Sequence, residues 1–311
     1  MRIRKIIVLV AVLSLFIVSP VGAVTSGQPD YGNHPYVGLI VFFSSTPYVY
    51  DNTLPTPLWR CSGALISDHV FLTAAHCVTG PTPDFARIWF DPAPQGQPAC
   101  FPLTCGPDHN KYPFSGYDAA ALTASDLIPM PDYGTANPAN PKSSGLPGFD
   151  YHDVAIVRID SWTTGVPVTT ERALLPSAGY VDALPMKTQV AIVGYGVYDK
   201  AQVPGSAYPP PGQDAGYTPP YLRWYGRLRQ YAPSQLVQSN DVISAEFLKL
   251  TANPGQGKGG TCFGDSGGPI LDGNTVLGVN SFVSNVNCSG VTYSNRVDTT
   301  DALTFITGYL S

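Results

Sequence analysis

The sequence predicts an all-β protein, built as one large or two medium β domains and closed by a single C-terminal helix. Three observations predict it. Short runs rich in Val, Ile, Tyr and Phe recur along the chain, each bounded by Gly, Pro, Asn or Asp, which is the pattern of strands and turns. No amphipathic helical pattern separates them, so the strands are expected to stack as sandwiches or barrels. The 311 residues include 31 glycines and 31 prolines, both above their usual share of globular chains.

The chain begins with a basic stretch holding Arg2, Arg4 and Lys5, followed by an apolar run from Ile6 to Val18 broken only by Ser14, and then Val21-Gly22-Ala23. That is the layout of a secretory signal peptide over residues 1–23. Its apolar run is shorter than the ~20 residues a membrane span needs. Removing it leaves 288 residues with 14 basic and 22 acidic side chains, net −8 with histidine neutral. A mildly acidic, sparsely charged chain argues against nucleic-acid or anionic-membrane partners.

Strands are expected at Tyr36 to Phe43, Ala64 to Ile66, Val70 to Ala74, Arg87 to Phe90 and Val154 to Ile159. A second set is expected at Gln189 to Val193, Val242 to Leu250, Val276 to Val283 and Thr292 to Val297. At the C-terminus Thr299 or Thr300 can cap a helix, with Asp301 favourably near its positive end. Leu303, Ile306 and Leu310 then share one face. Two Pro- and Gly-rich segments, about 91–149 and 199–220, read as insertions. The domain division expected is a first β unit over 24–172 and a second over 173–311.

Six cysteines in an oxidising compartment predict three disulfides, and the residues alone leave the pairing open. Cys100 and Cys105 are close enough for a local loop. With His109 they could also be read as metal ligands, but a secreted Pro-rich loop fits a disulfide better. No EF-hand pattern is present, and neither a metal nor a cofactor is expected. His34, His69 and His152 read as surface or structural residues.

Three motifs carry chemistry. In Gly264-Asp265-Ser266-Gly267-Gly268-Pro269, a serine sits in a turn where the N–H groups of Gly264 and Ser266 can face an oxyanion. A serine hydroxyl needs a base within reach, and the base needs an orienting acid. Leu72-Thr73-Ala74-Ala75-His76-Cys77 supplies a histidine at a strand end, and Asp153-Val154-Ala155-Ile156-Val157 an acid opening an apolar strand.

In the order His76, Asp153, Ser266, these motifs resemble the trypsin and chymotrypsin family of serine proteases. The resemblance extends to Pro35-Tyr36-Val37 and to Ala191-Ile192-Val193-Gly194-Tyr195-Gly196, and so covers almost the whole mature chain. It implies two six-stranded antiparallel β-barrels with the site between them, and disulfides Cys61–Cys77 and Cys262–Cys288; Cys100–Cys105 has no counterpart in it. It also implies a secreted or periplasmic, monomeric endopeptidase acting on proteins or peptides, with Ser266 as nucleophile, His76 as base and Asp153 as orienting acid. The rival expectation is a protease homologue that only binds; such proteins usually lack a triad member, and none is missing here.

By the same resemblance, Asp265 pairs with an apolar N-terminus freed by proteolysis. Val24, just after the signal-cleavage point, is the candidate. The residues expected at the substrate pocket are Gly260 and Thr261 at its floor and Asn280, Ser281, Phe282 and Val283 along its wall. Ser281 is also expected to help hold Asp153. Gly260 supplies no charge, so cleavage after Lys or Arg is not expected, and small or medium uncharged side chains are.

Overall fold

A computed structural model describes residues 24, 26–48, 51–80, 82–94, 116–134, 151–196, 199–201, 223–225, 228–237, 245–284 and 288–310. Its strands, in chain order, are β1 (Gln28–Pro29), β2 (Val37–Tyr48), β3 (Asp51–Leu65), β4 (Val70–Thr73), β5 (Phe85–Trp89), β6 (Ala119–Leu122), β7 (Leu127–Pro129) and β8 (Ala155–Arg158). The second half adds β9 (Gln189–Gly194), β10 (Asp199–Ala201), β11 (Arg223–Tyr225), β12 (Gln230–Gln235), β13 (Phe247–Ala252), β14 (Pro269–Asp272), β15 (Thr275–Val283) and β16 (Gly290–Arg296). The helices are α1 (Ala75–Val78) and α2 (Thr300–Thr307).

The first sheet runs β6-β5-β2-β3-β4-β8-β7, all antiparallel. Its two outermost members, β6 and β7, are consecutive in the chain and joined by a short 3₁₀ turn, Ala124–Asp126. Thr123 begins that turn by donating its backbone N–H and its hydroxyl to the Asp126 carboxylate, each at 2.8 Å, a reciprocal cap that breaks the strand direction. One strand position is thereby split in two, and the sheet curls so that its ends meet. The stretch Val37–Phe43 of β2 is buried throughout, as expected for a central strand covered on both faces.

The second sheet runs β1-β12-β9-β14-β15-β16-β13. A bridge between Leu236 and Leu250 returns β12 to β13, and Val237 donates to the Lys249 carbonyl at 2.7 Å. Six strands therefore close on themselves, and β1 is an added rib from the N-terminal segment, pairing Gln28 with Tyr231. The expected six strands per barrel thus become two seven-stranded sheets, by a split strand in one case and an added strand in the other. β10 and β11 form a separate two-stranded ribbon.

Two strands, β6 and β7, come from inside the segment read as the first insertion. Each is short and lies between Pro- and Gly-rich stretches, so neither carries a clear alternation. Its remaining parts, 95–115 and 135–150, and most of the second insertion lie outside the described residues. So do the Cys100–Cys105 pair and all but Val24 of the first 25 residues. At the C-terminus Thr299 caps α2 by accepting from Ala302 N–H at 3.3 Å. Ala302 and Ile306 are the helix residues that bury, whereas Leu310 is exposed.

The N-terminal segment is tied to both barrels through one buried cation. Arg229, 1% exposed, donates from Nε to Asp30 Oδ2 at 2.7 Å, and from Nη1 to the carbonyls of Val37 at 3.0 Å and Phe90 at 2.8 Å. It also reaches the Tyr195 hydroxyl at 3.3 Å, which itself donates to Asp91 O at 2.9 Å. Burial pushes the Asp30 carboxyl up, but the hydrogen bonds from His34 and Arg229 and the charge of Arg229 outweigh it and hold the group below its ordinary value.

Removing one partner of such a pair leaves the other charge buried and unpaired. Asp30→Ala is therefore expected to lower unfolding stability by about 3–5 kcal/mol in denaturant titrations near neutral pH. A carboxyl with a lowered folded value contributes stability above its unfolded value, 3.8, and loses it as pH falls through the lower folded value. The gap between wild type and Asp30→Asn should accordingly shrink below about pH 4; a gap constant from neutral pH down to acid would contradict the assignment.

Candidate active site

Strand register brings the first two motifs together. β4 and β8 run antiparallel with Thr73 opposite Ala155 and Leu72 opposite Ile156. The residues just past the end of β4 therefore lie beside those just before β8. His76 falls in the single turn of α1, and Asp153 two residues ahead of β8. The Asp153 carboxylate accepts from the backbone N–H of His76 at 2.8 Å through Oδ1. It also meets His76 Nδ1 at 2.8 Å through Oδ2. The Ser281 hydroxyl, on β15 of the second sheet, donates to the same Oδ2. Asp153 is 2% exposed. Burial raises its carboxyl, but the neighbouring His76 charge and the hydrogen bonds of His76 and Ser281 prevail and hold it below the ordinary range.

The Ser266 turn packs against this pair from the other barrel. Ser62 N–H, on β3, donates to the Ser266 carbonyl at 2.7 Å. A Cβ on Gly267 would fall 2.0 Å from Thr73 Oγ1 and 2.7 Å from Ala74 N, so only glycine lets the turn approach the strand end that carries His76. The disulfide Cys61–Cys77 joins β3 to α1 across the same place. In the chain-entropy account, closing its 16-residue separation is worth about 3 kcal/mol. Among the described residues, no hydrogen bond links Ser266 Oγ to His76, whose Nε2 lies 3.7 Å from Cys77 Sγ.

Within the turn the backbone groups divide cleanly. Asp265 N–H donates to Cys262 O at 3.0 Å, Gly267 N–H to Asn280 O at 2.7 Å and Gly268 N–H to Asp265 O at 2.8 Å. The carbonyls of Gly264 and Ser266 accept from Ser62, and that of Asp265 also from Asn280 Nδ2 at 3.2 Å. The N–H groups of Gly264 and Ser266 donate to no described residue. Gly264 stands at φ +95° and Gly267 at +75°, conformations open to glycine.

Asp265 is fully buried. Its carboxylate accepts from Gly196 N–H at 2.8 Å and Cys262 N–H at 2.9 Å. Burial pushes its carboxyl up to about 7, against the pull of those two N–H groups and the more distant Arg60 charge. Val24, its expected partner, is buried with its side chain in the apolar cluster of Val181, Val190, Ile192 and Ile270. No hydrogen bond between Val24 and Asp265 is among those of the described residues.

At the expected pocket floor, Gly260 and Thr261 are buried. A Cβ on Gly260 would meet Ala252 Cβ at 2.3 Å and Thr292 Cγ2 at 3.0 Å, so two methyl groups back this position. Along the wall, Phe282 stacks on Tyr293 with centroids 4.8 Å apart and meets Phe247 edge-on at 5.7 Å. Ser281, Phe282 and Val283 are half-buried. Asn280 is 1% exposed, and besides holding Asp265 O it accepts from Ser294 Oγ at 3.1 Å; its side chain is engaged inside the protein. Cys262–Cys288 forms as the resemblance implied. Cys61 Sγ, Cys77 Sγ and one His76 nitrogen lie within 4.8 Å of one another, but disulfide sulfurs are not the thiolates a metal needs.

Sequence reasoning missed Ser62, Thr73 and Tyr195 as members of this frame. Thr73 stands in the histidine motif and Tyr195 between two glycines, so both lay in quoted stretches. Ser62 follows a cysteine, and nothing local marks its contacts.

The trypsin family model matches residues 29–100 and 118–304. Among solved structures, HL collagenase aligns over 92% of this chain and 97% of its own, with 18% identity and a TM-score of 0.52. Neuropsin, a serine protease expressed in the limbic system of mouse brain, aligns over 89% and 95%, with 16% identity and a TM-score of 0.53. Human heparin binding protein aligns over 91% and 95%, with 15% identity and a TM-score of 0.50. These neighbours share the fold, two curled antiparallel sheets with a C-terminal helix, and the family match spans nearly the whole chain: it belongs to the trypsin family.

Proposed function

We propose that the chain is a secreted serine endopeptidase that cleaves peptide bonds through an acyl-enzyme intermediate. The observation that carries this reading is the buried Asp153 carboxylate gripping both the backbone N–H and Nδ1 of His76. That grip sets the ring tautomer, with the proton on Nδ1 and Nε2 as the working base. His76 takes the Ser266 proton as Oγ attacks the substrate carbonyl, and then gives it to the leaving amine. Asp153 stabilises the imidazolium formed between those steps. The N–H groups of Gly264 and Ser266, which donate to no described residue, are the donors for the oxyanion. A water activated by His76 then releases the acyl group. A Ser266–His76 hydrogen bond is of a kind that forms or tightens in the substrate complex. Two disulfides support an oxidising, extracellular or periplasmic setting.

A fluorophosphonate should label Ser266, and Ser266→Ala should abolish labelling. Asp153→Asn should lower turnover by roughly 10⁴-fold, the cost of this change in the same constellation elsewhere, with the protein still folded. Activity should decline in mild acid as His76 is protonated. A labelled wild type whose Asp153→Asn variant turns over normally would remove Asp153 from the mechanism. An unlabelled wild type would favour a homologue that only binds.

For the primary pocket, the methyl groups behind Gly260 and the absence of charge there support small or medium uncharged side chains. Cleavage of a peptide library should show that preference; dominant cleavage after Lys, Arg or Glu would refute it.

Signal peptidase cleavage after Ala23 would free Val24, whose ammonium would supply the buried Asp265 carboxylate with a cation. An α-amino group titrates near 7.7–8.0 when free, by the usual estimate of about 8. Raised by pairing, it stays charged below the raised value, and the active form is lost as pH climbs through it. Mass spectrometry should find a mature N-terminus at Val24, and activity should fall again in alkali. Any other mature start rules out this pairing.

A further inference from the structure

We propose that Ser62 is a positioning residue for the oxyanion site, its hydroxyl locking the Gly264–Asp265 peptide against Tyr195; this rests on the peptidase reading above. Ser62 is fully buried at the end of β3 where the two barrels meet. Its Oγ accepts from Tyr195 N–H at 2.9 Å and donates to the Gly264 carbonyl at 2.8 Å. Its N–H donates to the Ser266 carbonyl at 2.7 Å. Its own carbonyl accepts from Thr73 Oγ1 at 2.8 Å. One residue thus holds the carbonyls of both residues whose N–H groups are left for substrate, and it is anchored in turn by the strand that leads to His76.

The contact of the Ser62 hydroxyl with the backbone has a specific mechanical effect. The Gly264–Asp265 peptide is fixed at one end by Ser62 Oγ on its carbonyl and at the other by the Asp265 N–H bond to Cys262 O. Gly264 at φ +95° has no side chain to restrain it. Its N–H lies in the preceding peptide, and fixing the peptide that follows removes one of the two sides about which Gly264 could turn it. Without the hydroxyl, one end of that peptide is released, and the Tyr195 N–H loses its acceptor as well. The backbone bond from Ser62 to Ser266 survives any substitution by a non-proline residue, so the effect falls on the Gly264 donor.

An oxyanion donor acts on charge that exists only in the transition state, so a misaimed donor lowers kcat and leaves KM nearly unchanged. In Ser62→Ala, kcat is expected to drop about tenfold to a hundredfold, short of the roughly 10²–10³ that loss of a whole donor costs. Affinity for a peptide boronate, which forms a tetrahedral anion on Ser266, should fall by a similar factor. Affinity for the matching uncharged peptide amide should hold within about twofold, since that ligand makes no oxyanion. Amide exchange at Asp265 should accelerate relative to β14 and β15. If Ser62→Ala does not fold, Ser62→Cys keeps a weak donor and acceptor in place and should show the same split at smaller amplitude. Wild type and variant binding the boronate equally would overturn the role of Ser62 alone. Parallel losses of boronate and amide affinity would also overturn it, by showing a general disruption. A wild type that binds no boronate would overturn the peptidase reading, and the catalytic role of Ser62 with it.

Discussion

The buried carboxylate of Asp265 is the constraint around which the site is arranged. It is fully enclosed, and among the described residues two backbone N–H groups, from Gly196 and Cys262, are its hydrogen-bond donors. Enclosing a carboxylate on so few donors is costly, which is why its proton is held up to about pH 7. The donors must therefore come very close, and close approach explains the residue types around it. A Cβ on Gly196 would fall 2.5 Å from the Asp265 carboxylate carbon. The glycines of Gly194-Tyr195-Gly196 thus let this strand end wrap the group, while the Tyr195 hydroxyl between them reaches Asp91 O and Arg229. Asp265 lies between Gly264 and Ser266, so whatever fixes its carboxylate also fixes the N–H groups on either side.

The site exists only where the barrels meet, because both contribute to its restraints. Asp153 and His76 belong to the first sheet, yet Ser281 of the second completes the carboxylate's hydrogen bonds. Ser266 follows the second barrel's strand order, yet β3 of the first holds its carbonyl. The relative placement of the barrels is set away from the chemistry by Arg229, whose guanidinium reaches Asp30, Val37, Phe90 and Tyr195 together. Arginine suits this place better than lysine, since a planar fork can address several acceptors from a fixed position. Tyr195 then links that buried cation to Ser62 through its own backbone N–H.

Much of this architecture was legible in the sequence, and the exceptions have physical causes. Strands such as β2, β4, β8 and β15 carry dense β-branched and aromatic runs because they are covered on both faces. β12 went unread because its sequence, Gln230 to Gln235, contains Pro233, which ordinarily disfavours a paired strand. β14 opens on Pro269, where a missing N–H matters least. β6 and β7 are short and sit among prolines and glycines, so the surrounding composition hid them. His76, Asp153 and Ser266, the proposed catalytic residues, announced themselves because each stands in a distinctive local run. Ser62 and Arg229 did not, because their importance lies in partners 34 to 202 positions away. No local pattern encodes a contact of that range; only the closed barrels bring the partners together.

The same reasoning separates what the fold explains from what the site explains. A fold supplies frames on which unrelated functions can be built, and a glycine-rich turn is ordinarily just one of its corners. An ordinary corner satisfies its own backbone, as nearly all sheltered N–H groups in proteins do. Here the turn holds the carbonyls of Gly264, Asp265 and Ser266 and the N–H groups of Asp265, Gly267 and Gly268. It leaves the N–H groups of Gly264 and Ser266 with no described partner, in residues that are half-buried. A turn chosen for stability alone could relax to engage those donors. The clamps from Ser62 and Asn280 and the buried Asp265 prevent that relaxation. The turn thus keeps two donors available, as the proposed oxyanion role of Gly264 and Ser266 requires.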